Sequence, residues 1–197
     1  MPKSPTAKHK SRSVSEIADP RAERTRAQIS AAFAQLLARR PYARIRVSEI
    51  TRKAQVGRAT FYAHFDSKDS LLRAELQRVV RPMITPLPGD SCPADCTALF
   101  AHLQHAEALY RHLMGGESRA VCERIVQEAL EERIVQIISS KPTPAGAASG
   151  TAFVPRFIAS TLTALISWSL EQAQRPSPAL LQKLYATLVG SALAALA

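Results

Sequence analysis

The sequence predicts an all-α protein with a three-helix N-terminal unit built around a helix-turn-helix and a longer helical C-terminal unit. Three observations predict it. Apolar residues recur three and four apart through every long segment. Clusters of Pro and Gly punctuate the chain between those segments. The charge also divides sharply: Met1 to Pro82 holds 18 Lys/Arg against 7 Asp/Glu, whereas Met83 to Ala197 holds 8 against 9. Such asymmetry suits a nucleic-acid-binding part attached to a neutral partner part. The basic half lacks an amphipathic helix with a continuous bulky apolar face and flanking Trp, which argues against a membrane-surface protein.

Residues 1–20 carry Lys3, Lys8, Lys10 and Arg12 among Ser, Pro and Thr, with almost nothing to bury, and read as a disordered basic tail. The tail is either a solvated leader or an arm that adds phosphate contacts. Arg21 to Arg40 repeats Ile29, Ala32, Phe33, Leu36 and Leu37 on one face, and Pro41 stops that helix. Tyr42 is expected to cap the small core.

Val47 to Leu72 organises everything else. Val47, Ile50 and Ala54, then Phe61 and Phe65, form two short runs at helical spacing, broken around Gln55-Val56-Gly57. In the second run Phe61 and Phe65 share a buried face, while Arg58, Thr60, Tyr62 and His64 project around the remaining surface, with Lys68 just beyond. A guanidinium, a hydroxyl, a phenol and an imidazole donate to phosphates and base edges. From Arg58 on, no carboxylate precedes Asp66 to repel a polyanion.

The segment Ala54-Gln55-Val56-Gly57-Arg58-Ala59-Thr60-Phe61-Tyr62-Ala63-His64-Phe65, followed by Ser67-Lys68-Asp69-Ser70-Leu71-Leu72, resembles the helix-turn-helix of the TetR/AcrR family of bacterial transcriptional regulators. The likeness runs from Arg21 to Val80; beyond that the chain is similar only in being helical and of the expected length. It implies a DNA-binding domain over residues 21–66 and a regulatory and dimerisation domain over 67–197, with 67–82 as the connecting helix. It also implies a homodimer paired through the last two helices, double-stranded DNA with a pseudo-palindromic operator as partner, and a small-molecule effector. Thr25 carries over as a contact to the DNA backbone, although the same residue suits an ordinary solvated helix start. Thr60, Tyr62, His64 and Lys68 are expected mainly to hold phosphates, and Arg58 to read a guanine edge.

The sequence departs from the family pattern at three places. Arg46 stands where Ser or Thr usually caps the helix-turn-helix, so either Arg46 occupies the cap or Ser48 takes it; Ser48 can alternatively face DNA. Gln55 replaces the Gly preferred at a left-handed turn position. Gly57 replaces the Ser that usually caps the recognition helix.

Asp66 to Pro82 reads as a helix through Leu71, Leu72, Leu76, Val79 and Val80, bent or ended by Pro82. Ile84 to Pro93 is Pro-rich and reads as a loop. Ala94 to Leu113 is helical with a break near Gln104 to Ala106, ended by Gly115-Gly116. Glu117 to Ser139 is a longer helix, Lys141 to Gly150 a flexible loop, and Thr151 to Ala173 and Pro178 to Ala197 the last two helices. These two carry apolar residues around more than one face, and a second apolar face needs a second partner. By the resemblance, Phe100, Leu103, Tyr110, Met114, Cys122, Phe157, Thr161 and Trp168 are the candidate ligand-pocket lining; such a set also suits plain core.

Cys92, Cys96 and Cys122 lack zinc-finger spacing and fit a reducing cytosol. His102 and His105 stand three apart but have neither H-E-x-x-H nor a carboxylate partner, so surface histidines rather than a metal site are expected. No phosphate-cradling loop, nucleophile elbow or paired carboxylates appear, so neither an enzyme nor a cofactor is expected. The N-terminus has no apolar signal core. Phe157 to Leu170 reads as too short and too rich in Ser and Thr to span a bilayer, so the protein is expected to be cytoplasmic. The combined reading is a sequence-specific transcriptional regulator, a repressor released by a small molecule. A ligand-independent regulator whose C-terminal domain only dimerises, or a protein-interaction module with a basic head, would use the same residues.

Overall fold

Helix α1 (Pro20–Leu37) opens the fold in a computed structural model that describes residues 20–88, 92–140 and 153–195. The expected basic tail up to residue 19 and the expected loop Lys141 to Gly150 lie outside the described residues. Proline at the first position of α1 has no N–H to leave unpaired, and the helix buries Ile29, Ala32, Phe33 and Leu37. A short 3-10 turn at Tyr42–Arg44 leads into α2 (Val47–Ala54), and α3 (Arg58–His64) follows across a three-residue turn. Phe61 is fully buried against this three-helix core. Its truncation to Ala would cost about 3–5 kcal/mol, a large share of the stability of a typical domain.

Helix α4 (Lys68–Met83) starts with a reciprocal cap. The Ser67 hydroxyl accepts from the Ser70 N–H at 3.0 Å, and the Ser67 N–H donates to the Ser70 hydroxyl at 3.0 Å. It buries Leu71, Leu72, Leu76 and Val80, runs one residue past Pro82, and is closed by the Ile84 N–H donating to the Val80 carbonyl. Arg73 pairs with Glu128, and the Arg133 guanidinium donates to the Ile84 carbonyl at 2.8 and 3.0 Å, so α4 is tied to the helix that carries Glu128 and Arg133.

The Pro-rich stretch after α4 holds a feature absent from the expectations. β1 (Thr85–Pro86) pairs antiparallel with β2 (Ala94–Asp95), Thr85 opposite Asp95, and the Leu87 N–H donates to the Pro93 carbonyl. Two-residue strands leave no periodicity to read, and proline is tolerated at such an edge.

The break near Ala106 is real. α5 (Thr97–His105) and α6 (Glu107–Met114) meet at Ala106, whose φ of −107° and ψ of 26° end one helix and start the next. Gly115 and Gly116 then stop α6: a Cβ on Gly115 would lie 2.7 Å from the Arg111 carbonyl oxygen, and Gly116 has φ +68°. The rest is α7 (Arg119–Ser139), α8 (Phe153–Glu171) and α9 (Pro178–Ala194), the last capped by the Ser177 hydroxyl accepting from the Leu180 N–H.

α7 packs against α8 and α4, and α9 against α5 and α8. The stretch Phe157 to Leu170 lies inside the 19-residue α8, which is long and apolar enough, by length and composition, to cross a membrane. Ile158, Ala159, Leu162, Leu165 and Ile166 of α8 are nevertheless buried within this helical bundle.

Candidate nucleic-acid interface

The turn between α2 and α3 sets the geometry of the basic unit. Gln55 ends α2 at φ 55° and ψ 39°, the left-handed conformation expected for this position, and it is the one non-glycine residue with positive φ among those described. Its N–H bonds back to α2, and the Val56 N–H donates to the Thr51 carbonyl at 3.0 Å. Gly57 caps α3 in an extended conformation, φ −73° and ψ 157°, without a side-chain hydrogen bond. At the start of α2, Arg46 and not Ser48 holds the cap position. A guanidinium cannot accept, so only half of a capping box forms: the Arg46 N–H donates to Glu49 Oε2 at 2.9 Å. That bond, reinforced by Arg40 Nη2 at 2.8 Å, holds the Glu49 carboxyl below its usual range.

The Phe61 and Phe65 rings, 5.9 Å apart, fix the inner face of α3. Arg58, Thr60 and Tyr62 stand on the exposed face, Tyr62 with 47% of its surface open, and His64 is half-buried with its ring 6.5 Å from Phe65. Ser48 of α2 is exposed. Thr25 is half-buried and donates its hydroxyl proton to the Arg21 carbonyl at 3.0 Å, leaving lone pairs but no donor facing outward.

Lys68 requires a correction. Its ammonium donates to the Tyr42 carbonyl and the Ile45 carbonyl, both at 3.0 Å, and lies 4.0 Å from the centre of the Tyr42 ring. The Tyr42 hydroxyl in turn donates to Asp69. Burial raises the Tyr42 phenol and lowers the Lys68 ammonium from their ordinary pKa values. Two of the three Lys68 N–H groups are thus occupied in bracing the turn before α2 onto the start of α4, so its main place is inside the head.

Exposed cations that the motif reading passed over are Arg44, Arg46, Arg52 and Lys53, on the 3-10 turn and on α2. The signal available was the charge count: residues 21–66 hold ten Lys/Arg against three Asp/Glu. Arg26 of α1 is also exposed, its guanidinium 5.1 Å from the centre of the Phe65 ring.

The eight candidate pocket residues do not line one cavity. Tyr110 faces a cleft of about 100 Å³ between α1, α4, α5 and α6. Phe100 and Leu103 face a space of about 10 Å³ beside Ser169 and Arg175, and Met114 an open depression beside Arg119. Cys122 is wholly buried. The Thr161 hydroxyl bonds the Phe157 carbonyl at 3.0 Å, Phe157 stacks on Phe153, and Trp168 is 41% exposed. The reason is geometric: helical periodicity shows that a residue is apolar-facing but not which neighbouring helix it meets.

Burial pushes the Cys122 thiol up to about 11 and raises the Cys96 thiol as well, the opposite of what a reactive thiolate needs. Among the described residues no three His, Cys, Asp or Glu side chains converge as a metal site would require. His112 Nδ1 lies 2.9 Å from the Leu37 carbonyl, joining α6 to the end of α1.

Residues 29–74 match the model of the bacterial regulatory proteins, tetR family. An uncharacterized HTH-type transcriptional regulator of Bacillus subtilis (strain 168), YxbF, is 42% identical over 76 residues, 38% of this chain and 20% of that protein. The chain therefore spans only about a fifth of that relative's length. The fold extends further. A TetR transcriptional regulator from Rhodococcus sp. RHA1 superimposes with a TM-score of 0.58 at 16% identity, covering 90% of this chain and 98% of the other. One from Streptococcus agalactiae 2603V gives 0.54 at 21%, covering 86% and 95%. RolR in complex with resorcinol gives 0.53 at 17%, covering 87% and 88%. Residues 29–74, which hold a helix-turn-helix of this geometry, are thus similar to the bacterial regulatory proteins of the tetR family, and the helices behind them share the fold of these solved regulators.

Proposed function

We propose that this protein is a sequence-specific DNA-binding transcriptional repressor that acts as a homodimer and leaves its operator when a small molecule binds. The observation that carries the reading is the outward face of α3, where Arg58, Thr60 and Tyr62 stand exposed behind a left-handed turn at Gln55. On a dimer, two such helices enter successive major grooves of a pseudo-palindrome, with half-sites roughly 34–36 Å apart. Arg58 reads a guanine edge, and Thr60, Tyr62 and His64 hold phosphates together with Arg44, Arg46, Arg52 and Lys53. Ser48 and Thr25 sit at the margin of this surface, and Lys68 acts by holding the head in shape.

Pairing through α8 and α9 is supported by the exposed apolar side chains they carry: Phe153, Trp168, Leu180 and Leu188. The same packing of α8 against protein favours a soluble, cytoplasmic molecule. Ligand release requires an effector that prefers a head spacing unsuited to the grooves, a coupling of about 1–3 kcal/mol. RolR, a neighbour in fold, has been solved with resorcinol, which makes monocyclic phenols the first compounds to screen here.

Selection of bound duplexes from a random pool tests the reading. Recovery of an inverted repeat supports it; enrichment of no sequence at all contradicts it. If a repeat is recovered and no compound ever releases it, the C-terminal helices only dimerise.

A further inference from the structure

The cleft at the seam between head and body is built for a ligand. Its walls come from four helices: Phe33 and Leu37 of α1, Leu76 of α4, His102 of α5, and Leu109 and Tyr110 of α6. At about 100 Å³ it is two-thirds of an apolar cavity that admits benzene, which is about 150 Å³. The flanking Leu109 and Val79 are only half-buried and free to give way. The lining therefore has room for one six-membered ring.

Its polar groups narrow the chemistry. Tyr110 and His102 stack edge to face, ring centres 5.8 Å apart, and neither the Tyr110 hydroxyl nor a His102 ring nitrogen hydrogen-bonds another described residue. His102 is only half-buried, so its ring is open to an incoming group from the cleft. Burial lowers the His102 imidazole and pushes the Tyr110 phenol up to about 12, so both are uncharged at neutral pH and each is able to donate and accept. Glu75 and Arg78, also in the lining, neutralise one another at 2.8 Å. A neutral ring bearing one hydroxyl finds an apolar slot and a hydrogen-bonding end.

We propose that this cleft between α1, α4, α5 and α6 is an effector site for an uncharged monocyclic aromatic with a single hydrogen-bonding group, held by Tyr110 and His102. The inference deepens the ligand-responsive reading and rests on it only where release from DNA is concerned. A ring seated here separates α1 from α6, and so loads the bond between His112 and the Leu37 carbonyl that joins body to head. Occupancy thereby alters the angle of the head.

Titration calorimetry of DNA-free protein with phenol, and with toluene as the ring lacking a hydroxyl, tests the site without reference to DNA. Wild type should bind phenol one to one and more tightly than toluene. Tyr110→Phe should weaken phenol about fivefold and leave toluene unchanged. Leu109→Trp, filling the slot from a half-buried position, should abolish both while circular dichroism stays helical. Failure of phenol to bind wild type, or binding to Leu109→Trp as tight as to wild type, overturns the assignment; equal affinities for phenol and toluene overturn the role of Tyr110 and His102. Phenol binding by a protein that selects no duplex would leave this site standing and remove the repressor reading instead.

Discussion

Gln55 carries the backbone strain of the helix-turn-helix. A side chain at φ 55° places its Cβ against the following carbonyl, a cost of about 1 kcal/mol that glycine avoids. Gln55→Gly is expected to stabilise the protein by about 0.5–1 kcal/mol, because part of the relief is returned as extra freedom in the unfolded chain. Gly57→Ser should add a few tenths, since a Cβ there meets only Thr60 Oγ1 at 3.7 Å. Thermal or urea unfolding checks both; a lowered midpoint for Gln55→Gly would refute the strain. Lys68 and Arg58 separate stability from recognition. Lys68→Met removes two charge-assisted hydrogen bonds and a cation over the Tyr42 ring, for a loss on the order of 2 kcal/mol in unfolding free energy. Arg58→Ala should leave unfolding almost unchanged and relax base preference by about 1–3 kcal/mol at one position of the site. The outward position of Arg58 was legible in the sequence because Phe61 and Phe65 fix which way α3 turns. Lys68 was not, because the carbonyls that claim its ammonium, Tyr42 and Ile45, are more than twenty residues away.

At the scale of helices, the sequence marks the ends more clearly than the partners. The stop at Gly115, the break at Ala106 and the cap before α4 all follow from local chemistry, and each lies where the residues place it. The pair β1 and β2 does not, since its register depends on chain closure across a Pro-rich loop. The scattered pocket residues reflect the same blindness to partners: α8 leaves Trp168, like Phe153, on an uncovered face. That uncovered face leads to a prediction. Leu188→Glu on α9, a position 51% exposed in the single chain, should convert a dimer to a monomer without lowering helicity. Trp168 is the chain's single tryptophan. Its emission should shift to the red on dilution of wild type and already lie at the red end in Leu188→Glu. Sedimentation of both proteins checks the outcome, and a wild type that sediments as a monomer at high concentration would remove the two-headed arrangement.

For the whole molecule, the division of charge decides what the head meets. The net of +11 before residue 83 against −1 after it confines attraction for a polyanion to the end that carries α3. Each phosphate neutralised releases counterions and contributes roughly −0.9 to the slope of log affinity against log salt. Two heads making six or more such contacts should lose about 10³-fold in affinity between roughly 50 and 200 mM salt. A basic surface alone would share that slope, so the position of an added charge is the sharper probe. The most direct measurement is duplex binding across this salt range by wild type, by Tyr62→Glu on the exposed face of α3, and by Val135→Glu on the body. Steep salt dependence, with binding abolished by Tyr62→Glu and retained by Val135→Glu, is the expected result; equal weakening by the two substitutions, or affinity indifferent to salt, would show that α3 does not enter the groove.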